Sequence, residues 1–158
     1  MPLVAVLILV AKPLLANGWE WHSIPRKALI AALASEQTAT KIYAIRAFGY
    51  RRDKVVVPQL IGLAASPEQL LAIRRAAIRA LTNIRDRRAV ASLVASLRAE
   101  PSPELRGLSA AALGEIGGDA SLVAIAKAFK SETALLARIE MIAAFGRFRD
   151  RRAVAPLV

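Results

Sequence analysis

Cysteine is absent from the 158-residue chain, which excludes disulfides, thiolate metal sites and a cysteine nucleophile, and fits a reducing compartment such as the cytoplasm. Histidine occurs once, at His22, beside Trp19 and Trp21. A zinc or iron centre draws on several His, Cys or carboxylate ligands, so His22 reads as a structural residue and neither a metal nor another cofactor is implied. One histidine cannot supply a Ser/His/Asp set, and no nucleotide-binding glycine loop is present. Aromatic residues make up only 5% of the chain, too few for a stacking platform along nucleic-acid bases. Carboxylates are also scarce, 12 Asp and Glu against 23 Lys and Arg, for a formal charge of +11. Such an excess attracts an acidic protein surface, an anionic membrane or nucleic acid.

Long apolar runs are missing as well. The longest, Val4 to Ala11, stops at Lys12-Pro13, well short of the roughly 20 apolar residues that span a bilayer. No positive charge precedes it beyond the chain start, as a signal peptide would require. We read residues 3–16 as a packed first helix. A targeting or membrane-contacting segment, or a start site placed within a longer gene, are the alternatives.

What is present is alanine, leucine and valine, within a 56% hydrophobic composition. The first two are strong helix formers, and alternating β-branched runs bounded by glycine do not occur, so the fold class is all-α. The run Arg85-Asp86-Arg87-Arg88-Ala89-Val90-Ala91 recurs residue for residue at Arg149 to Ala155, 64 positions on. Half that step finds an intervening copy: Leu81, Leu113 and Phe145 align, as do Ile84, Ile116 and Phe148, and Val90, Leu122 and Val154. A step of 33 back places Phe48, Val57 and Leu60 opposite Leu81, Val90 and Leu93, with Arg51 where the other copies carry Ile or Phe. A weaker partial copy lies at Ile24 to Leu33.

Each unit reads as two helices. In the second clear unit Ile73, Ala77, Ala80, Leu81 and Ile84 form one apolar stripe, and Val90, Leu93, Val94 and Leu97 form the next. Asp86 stands between them as an N-cap, with Asp53, Asp150 and, shifted by one residue, Asp119 in the same role. Ser66-Pro67 and Ser102-Pro103 read as a capping serine before proline at the first helical position, and Ser131-Glu132 repeats the idea without proline. Hairpins with one apolar face each must stack to bury it. The expectation is a single right-handed α-solenoid over residues 1–158. A degenerate unit occupies 1–34, and repeats occupy 35–66, 67–101, 102–131 and 132–158, the last cut short within its second helix. Such a chain is a monomer or part of a longer array.

The run Leu105-Arg106-Gly107-Leu108-Ser109-Ala110-Ala111-Ala112-Leu113-Gly114-Glu115-Ile116-Gly117 resembles the HEAT-like repeat of the phycobilisome-lyase type. The second unit matches that pattern through Arg74, Ala77, Ala80, Leu81, Asp86, Arg88, Ala89, Val90 and Leu93, and the fourth through Arg138, Ala144, Gly146, Asp150, Arg152, Ala153, Val154 and Leu157. The resemblance covers about residues 38–158. It implies a ladder between neighbouring units formed by Lys41, Arg74, Arg106 and Arg138 with Asp53, Asp86 and Asp150, and it implies second helices lining an inner surface. It also raises a bilin lyase-like enzyme or chaperone as an alternative function, by analogy alone. The iron site of a deoxyhypusine hydroxylase needs His-Glu pairs, which are lacking, and no aromatic-and-carboxylate groove of a helical-repeat glycosylase is evident.

Positive charge concentrates in three turns within the hairpins: Arg51, Arg52 and Lys54; Arg85, Arg87 and Arg88; and Arg147, Arg149, Arg151 and Arg152. In a stack these turns line one edge, interrupted at Gly117-Gly118-Asp119. The outward residues of the second unit's second helix, Ala91, Ser92, Ala95, Ser96 and Ala99, are small and uncharged, as is Ala124 in the third, where Lys127 stands beside Ala128. Small residues suit close contact with another protein. The reading is therefore a non-catalytic interaction scaffold for another protein, acidic in character, with Glu115 and Glu140 as surface partners of arginines. Nucleic acid or another anionic surface held along the basic edge is the further alternative.

Overall fold

A computed structural model describes residues 23–148. The apolar segment at 3–16, Trp19, Trp21 and His22 lie outside the described residues, as do Arg149, Asp150, Arg151 and Arg152. The described residues form eight α-helices and no strand: α1 (Arg26–Leu33), α2 (Thr38–Arg51), α3 (Val57–Ala65), α4 (Leu71–Ile84), α5 (Val90–Ala99), α6 (Pro103–Ile116), α7 (Asp119–Ser131) and α8 (Leu135–Phe145). The chain is an all-α helical repeat solenoid. Helices α2 and α3, α4 and α5, and α6 and α7 are the hairpins, and α8 continues the row of first helices.

Local chemistry sets the two kinds of turn. Asp53 accepts a hydrogen bond from the Val55 N–H at 3.1 Å and Asp86 from the Arg88 N–H at 2.9 Å. Each thereby opens a short 3₁₀ turn, at Lys54–Val56 and Arg87–Ala89, that leads into the second helix. The first helices end on residues in the left-handed region, Arg52 at φ 52° and Arg85 at φ 54°, which close the last turn through their own N–H groups. In the third hairpin Gly117 and Gly118, at φ 76° and 91°, make the turn instead. The two glycines shift the cap: Gly118 is the N-cap of α7 and Asp119 its first residue, so Asp119 meets the helix dipole rather than capping it.

Between units, Ser102 caps α6 with Pro103 at the first position. Ser66 does not cap α4. It ends α3 as C-cap and starts a tight turn in which its carbonyl accepts from the Gln69 N–H, and α4 begins after Leu70. The connection there is longer, so the serine-proline pair is spent on the turn.

One hydrophobic core runs through the stack, from Leu29 and Ala32 of α1 through Phe48, Leu60, Leu81, Leu93, Leu113 and Ile125 to Met141 and Phe145. Each such large side chain contributes about 1.5–3 kcal/mol on burial. The first helices pack most closely, α2 on α4, α4 on α6 and α6 on α8, while the second helices touch one another less. The seam of first helices admits no bulk. A Cβ on Gly49 would stand 2.9 Å from the Cα of Ala80, and one on Gly114 would stand 3.1 Å from the Cα of Ala144.

Candidate interaction face

Two sets of charged side chains decorate this frame, at opposite ends of the hairpins. At the ends where units join, Arg74 and Arg106 rise from the first turns of α4 and α6. Arg74 donates to both carboxylate oxygens of Glu100 and, from Nε, to the Ala64 carbonyl at 3.1 Å. Arg106 donates to both oxygens of Glu132, at 2.6 and 2.8 Å, and to the carbonyls of Glu100 and Pro101. Arg138 donates to the carbonyls of Phe129 and Glu132 and lies over the Phe129 ring at 4.2 Å. Each arginine thus reaches back to carbonyls at the end of the preceding second helix, where cations are favoured. Arg74 and Arg106 also close on the glutamate after their own hairpin.

Among the described residues Arg74 and Arg106 therefore pair with glutamates and not with Asp53 or Asp86, and Asp53 takes Arg26 instead, at 2.7 Å. The reason is geometric: Arg74 and Asp86 stand at opposite ends of α4, about 18 Å apart along its axis at 1.5 Å per residue. Glu132 is nearly buried, its side chain 5% exposed. The Arg106 guanidinium first of all, helped by backbone N–H groups and opposed by burial, holds its carboxyl at about 2. Glu100 and Glu132 also cap the next segment, accepting from the N–H groups of Ser102 and Ala134.

At the other end lie the turn cations. Arg51 is half-buried and donates to the Ile24 carbonyl, which explains an arginine where other units carry Ile or Phe. Burial lowers its pKa below the ordinary guanidinium value, with Asp53 opposing. Arg88 grips Asp86 through Nε at 3.0 Å and Nη2 at 2.9 Å, and Nη2 also donates to the Lys54 carbonyl at 2.7 Å. That bond fastens the second turn to the first. The bonds from Arg88 to Asp86, the side-chain ones foremost and then its backbone N–H, hold the Asp86 carboxyl at about 2. Arg85 pairs with Glu115, whose other oxygen takes Arg147 Nε at 2.7 Å.

The structure therefore brings Arg51, Arg52 and Lys54 next to Arg85, Arg87 and Arg88, and sorts them. Arg51, Arg85 and Arg88 hold the fold together. Arg52, Lys54 and Arg87 are exposed, with no side-chain ion pair among the described residues. Arg149, Arg151 and Arg152 lie outside the described residues.

On the second-helix side Ala91, Ala95 and Ala99 are exposed as read from the sequence. Ser96 is not outward, because its hydroxyl bonds Ser109 of α6 at 2.8 Å. The surface is also less neutral than its alanines suggested, since Arg98, Lys127 and Lys130 are exposed along it. Sequence reasoning placed Lys127 there but missed Arg98, Lys130 and the bridging role of the two glutamates, although Glu100 and Glu132, like Arg98 and Lys130, recur at the repeat step of 32. Among the described residues no three His, Cys, Asp or Glu side chains converge as a metal site, and no helix is long and apolar enough to cross a membrane.

Stacked two-helix hairpins, tied by a repeating arginine bridge, define a helical-repeat protein. The chain belongs to the HEAT-repeat family, whose profile matches residues 26–114. A stretch of 60 residues is 42% identical to epoxyqueuosine reductase of Bacillus cereus, and equally to that of Bacillus anthracis. That stretch is 38% of this chain but only 16% of either reductase, so the chain matches a small part of these relatives.

Proposed function

We propose that this protein is a non-catalytic, cytoplasmic scaffold that holds an acidic protein partner along its hairpin turns and second helices. The observation that carries this reading is the division of labour among the turn cations. Arg51, Arg85 and Arg88 are consumed by internal bonds, whereas Arg52, Lys54 and Arg87 stand exposed beside a surface of small side chains. Uncompensated charge of one sign next to flat apolar surface favours a partner with carboxylates and a helix or backbone to lay against alanine. Among the described residues the exposed side of α3, α5 and α7 carries no aromatic, which speaks against a polynucleotide track there. The likeness to epoxyqueuosine reductases covers too little of those enzymes to bring their activity to this chain, and the bilin-lyase analogy has no residue here to support it.

The test is affinity capture from a lysate with and without nuclease treatment, comparing the native chain with the Arg52→Glu, Lys54→Glu, Arg87→Glu triple variant. A discrete protein captured in stoichiometric amount by the first and lost by the second is the expected result. Capture of nucleic acid alone, abolished by nuclease, would overturn the reading.

A further inference from the structure

The second helices α5 and α7 run side by side with a groove of about 760 Å³ between them. Its wall follows Arg87 of the 3₁₀ turn and then Ala91, Val94 and Arg98 of α5, the last three at helical spacing. On α7 it is met by Val123 and Lys127. The third unit differs here from its neighbours. Val123 is 66% exposed at the repeat position held by Ala91 and Pro58, and Lys127 stands where the other units have Ala95 and Gly62. An exposed valine and a lysine have thus replaced smaller, uncharged residues at two positions one helical turn apart, facing one gap.

The charges around the gap do not cancel internally. Arg87, Arg98 and Lys127 are exposed cations, with Asp119 as the carboxylate of the lining. Arg88, by contrast, is turned to Asp86 and the Lys54 carbonyl. The neighbouring groove between α3 and α5 is electrostatically closed, because its Arg74 and Glu100 pair with each other.

We infer that the groove between α5 and α7 receives a short acidic amphipathic helix of the partner, its apolar face on Val94 and Val123 and its carboxylates toward Arg87, Arg98 and Lys127. This rests on the scaffold reading and names what that face would hold. The stripe from Arg87 to Arg98 extends about 16 Å at 1.5 Å per residue, so three turns of the incoming helix fill it. A polyanion without an apolar face makes no use of Val94 or Val123, which separates this occupant from nucleic acid.

The probe is a fluorescein-labelled peptide of about 14 residues, Ala and Leu on one face and Glu on the flanks, set against a scrambled isomer that has the same charge and no stripe. Binding to the full chain is read by fluorescence anisotropy at two salt concentrations. The patterned peptide should bind at least about tenfold more tightly than the scrambled one. Val123→Glu and Lys127→Glu should each abolish that difference, while Arg52→Glu, outside the groove, should not. All three positions are exposed, and circular dichroism of each variant is the check that it stays folded. Equal binding of the two peptides, or no binding of either, overturns the inference. Its failure is separable from failure of the scaffold reading: a captured partner that tolerates Val123→Glu and Lys127→Glu but is lost with the Arg52→Glu, Lys54→Glu double variant, both outside the groove, leaves the scaffold standing and the groove empty.

Discussion

Arg52 and Arg85 occupy the left-handed region, where a Cβ costs roughly 1 kcal/mol. Arg85 offsets part of this by pairing with Glu115, whereas Arg52 makes no side-chain bond among the described residues. Arg52→Gly should therefore raise stability by about 0.5–1 kcal/mol, measured as a higher midpoint in urea. Two glycines give a matched pair of opposite sign. Gly62 lies within α3 with nothing within 4 Å of its added Cβ, so Gly62→Ala should gain up to about 1 kcal/mol of helix propensity. At Gly49 the same change sets a Cβ 2.9 Å from the Ala80 backbone, and overpacking of about 1–3 kcal/mol outweighs the propensity gain. Thermal melts of the two variants should move in opposite directions.

Among the elements, the arginine–glutamate bridges decide how hairpins join. Arg106 is 18% exposed and Glu132 5%. Removing the arginine leaves a nearly buried carboxylate unpaired, and Arg106→Ala should cost about 3 kcal/mol. Arg106→Met with Glu132→Leu should recover part of that loss, since no charge is then stranded. Acid should act on the same bridge. The Glu132 carboxyl titrates at about 2 when folded against an ordinary 4.5. Between those values the unfolded chain binds the extra proton, so the bridge's stabilisation is complete above about pH 5 and is lost as pH falls toward 2. The stability difference between the native chain and Glu132→Gln should accordingly shrink from pH 6 to pH 3 in denaturant titrations. Hairpins and the Asp53 and Asp86 caps were legible because they are local: Asp86 caps a nitrogen two residues away. The bridges were not, because Arg74 and Glu100 are 26 residues apart and only the stacked geometry shows which ends of the helices meet. Ser66 misled for a different reason: its local signal is equally compatible with a cap and with a turn.

For the molecule as a whole, each unit buries the face of the one before it. Ile45, Ile78 and Ala110 are buried, at 0%, 1% and 0% exposure, while Ile142 at the same repeat position on α8 is 46% exposed, with Ile139 beside it at 50%. Ile139→Lys with Ile142→Lys should lower the binding of an apolar dye and change stability by no more than about 0.5 kcal/mol. The two sides of the stack also differ mechanically. Along the first helices glycine meets alanine backbone to backbone, so that side behaves as a spine that resists stretching. The second-helix side, with fewer contacts to break, takes up most of any bending. A body wedged between α5 and α7 would pry open the compliant side alone, and a local fit in that gap would become a change in the distance between the two ends of the solenoid.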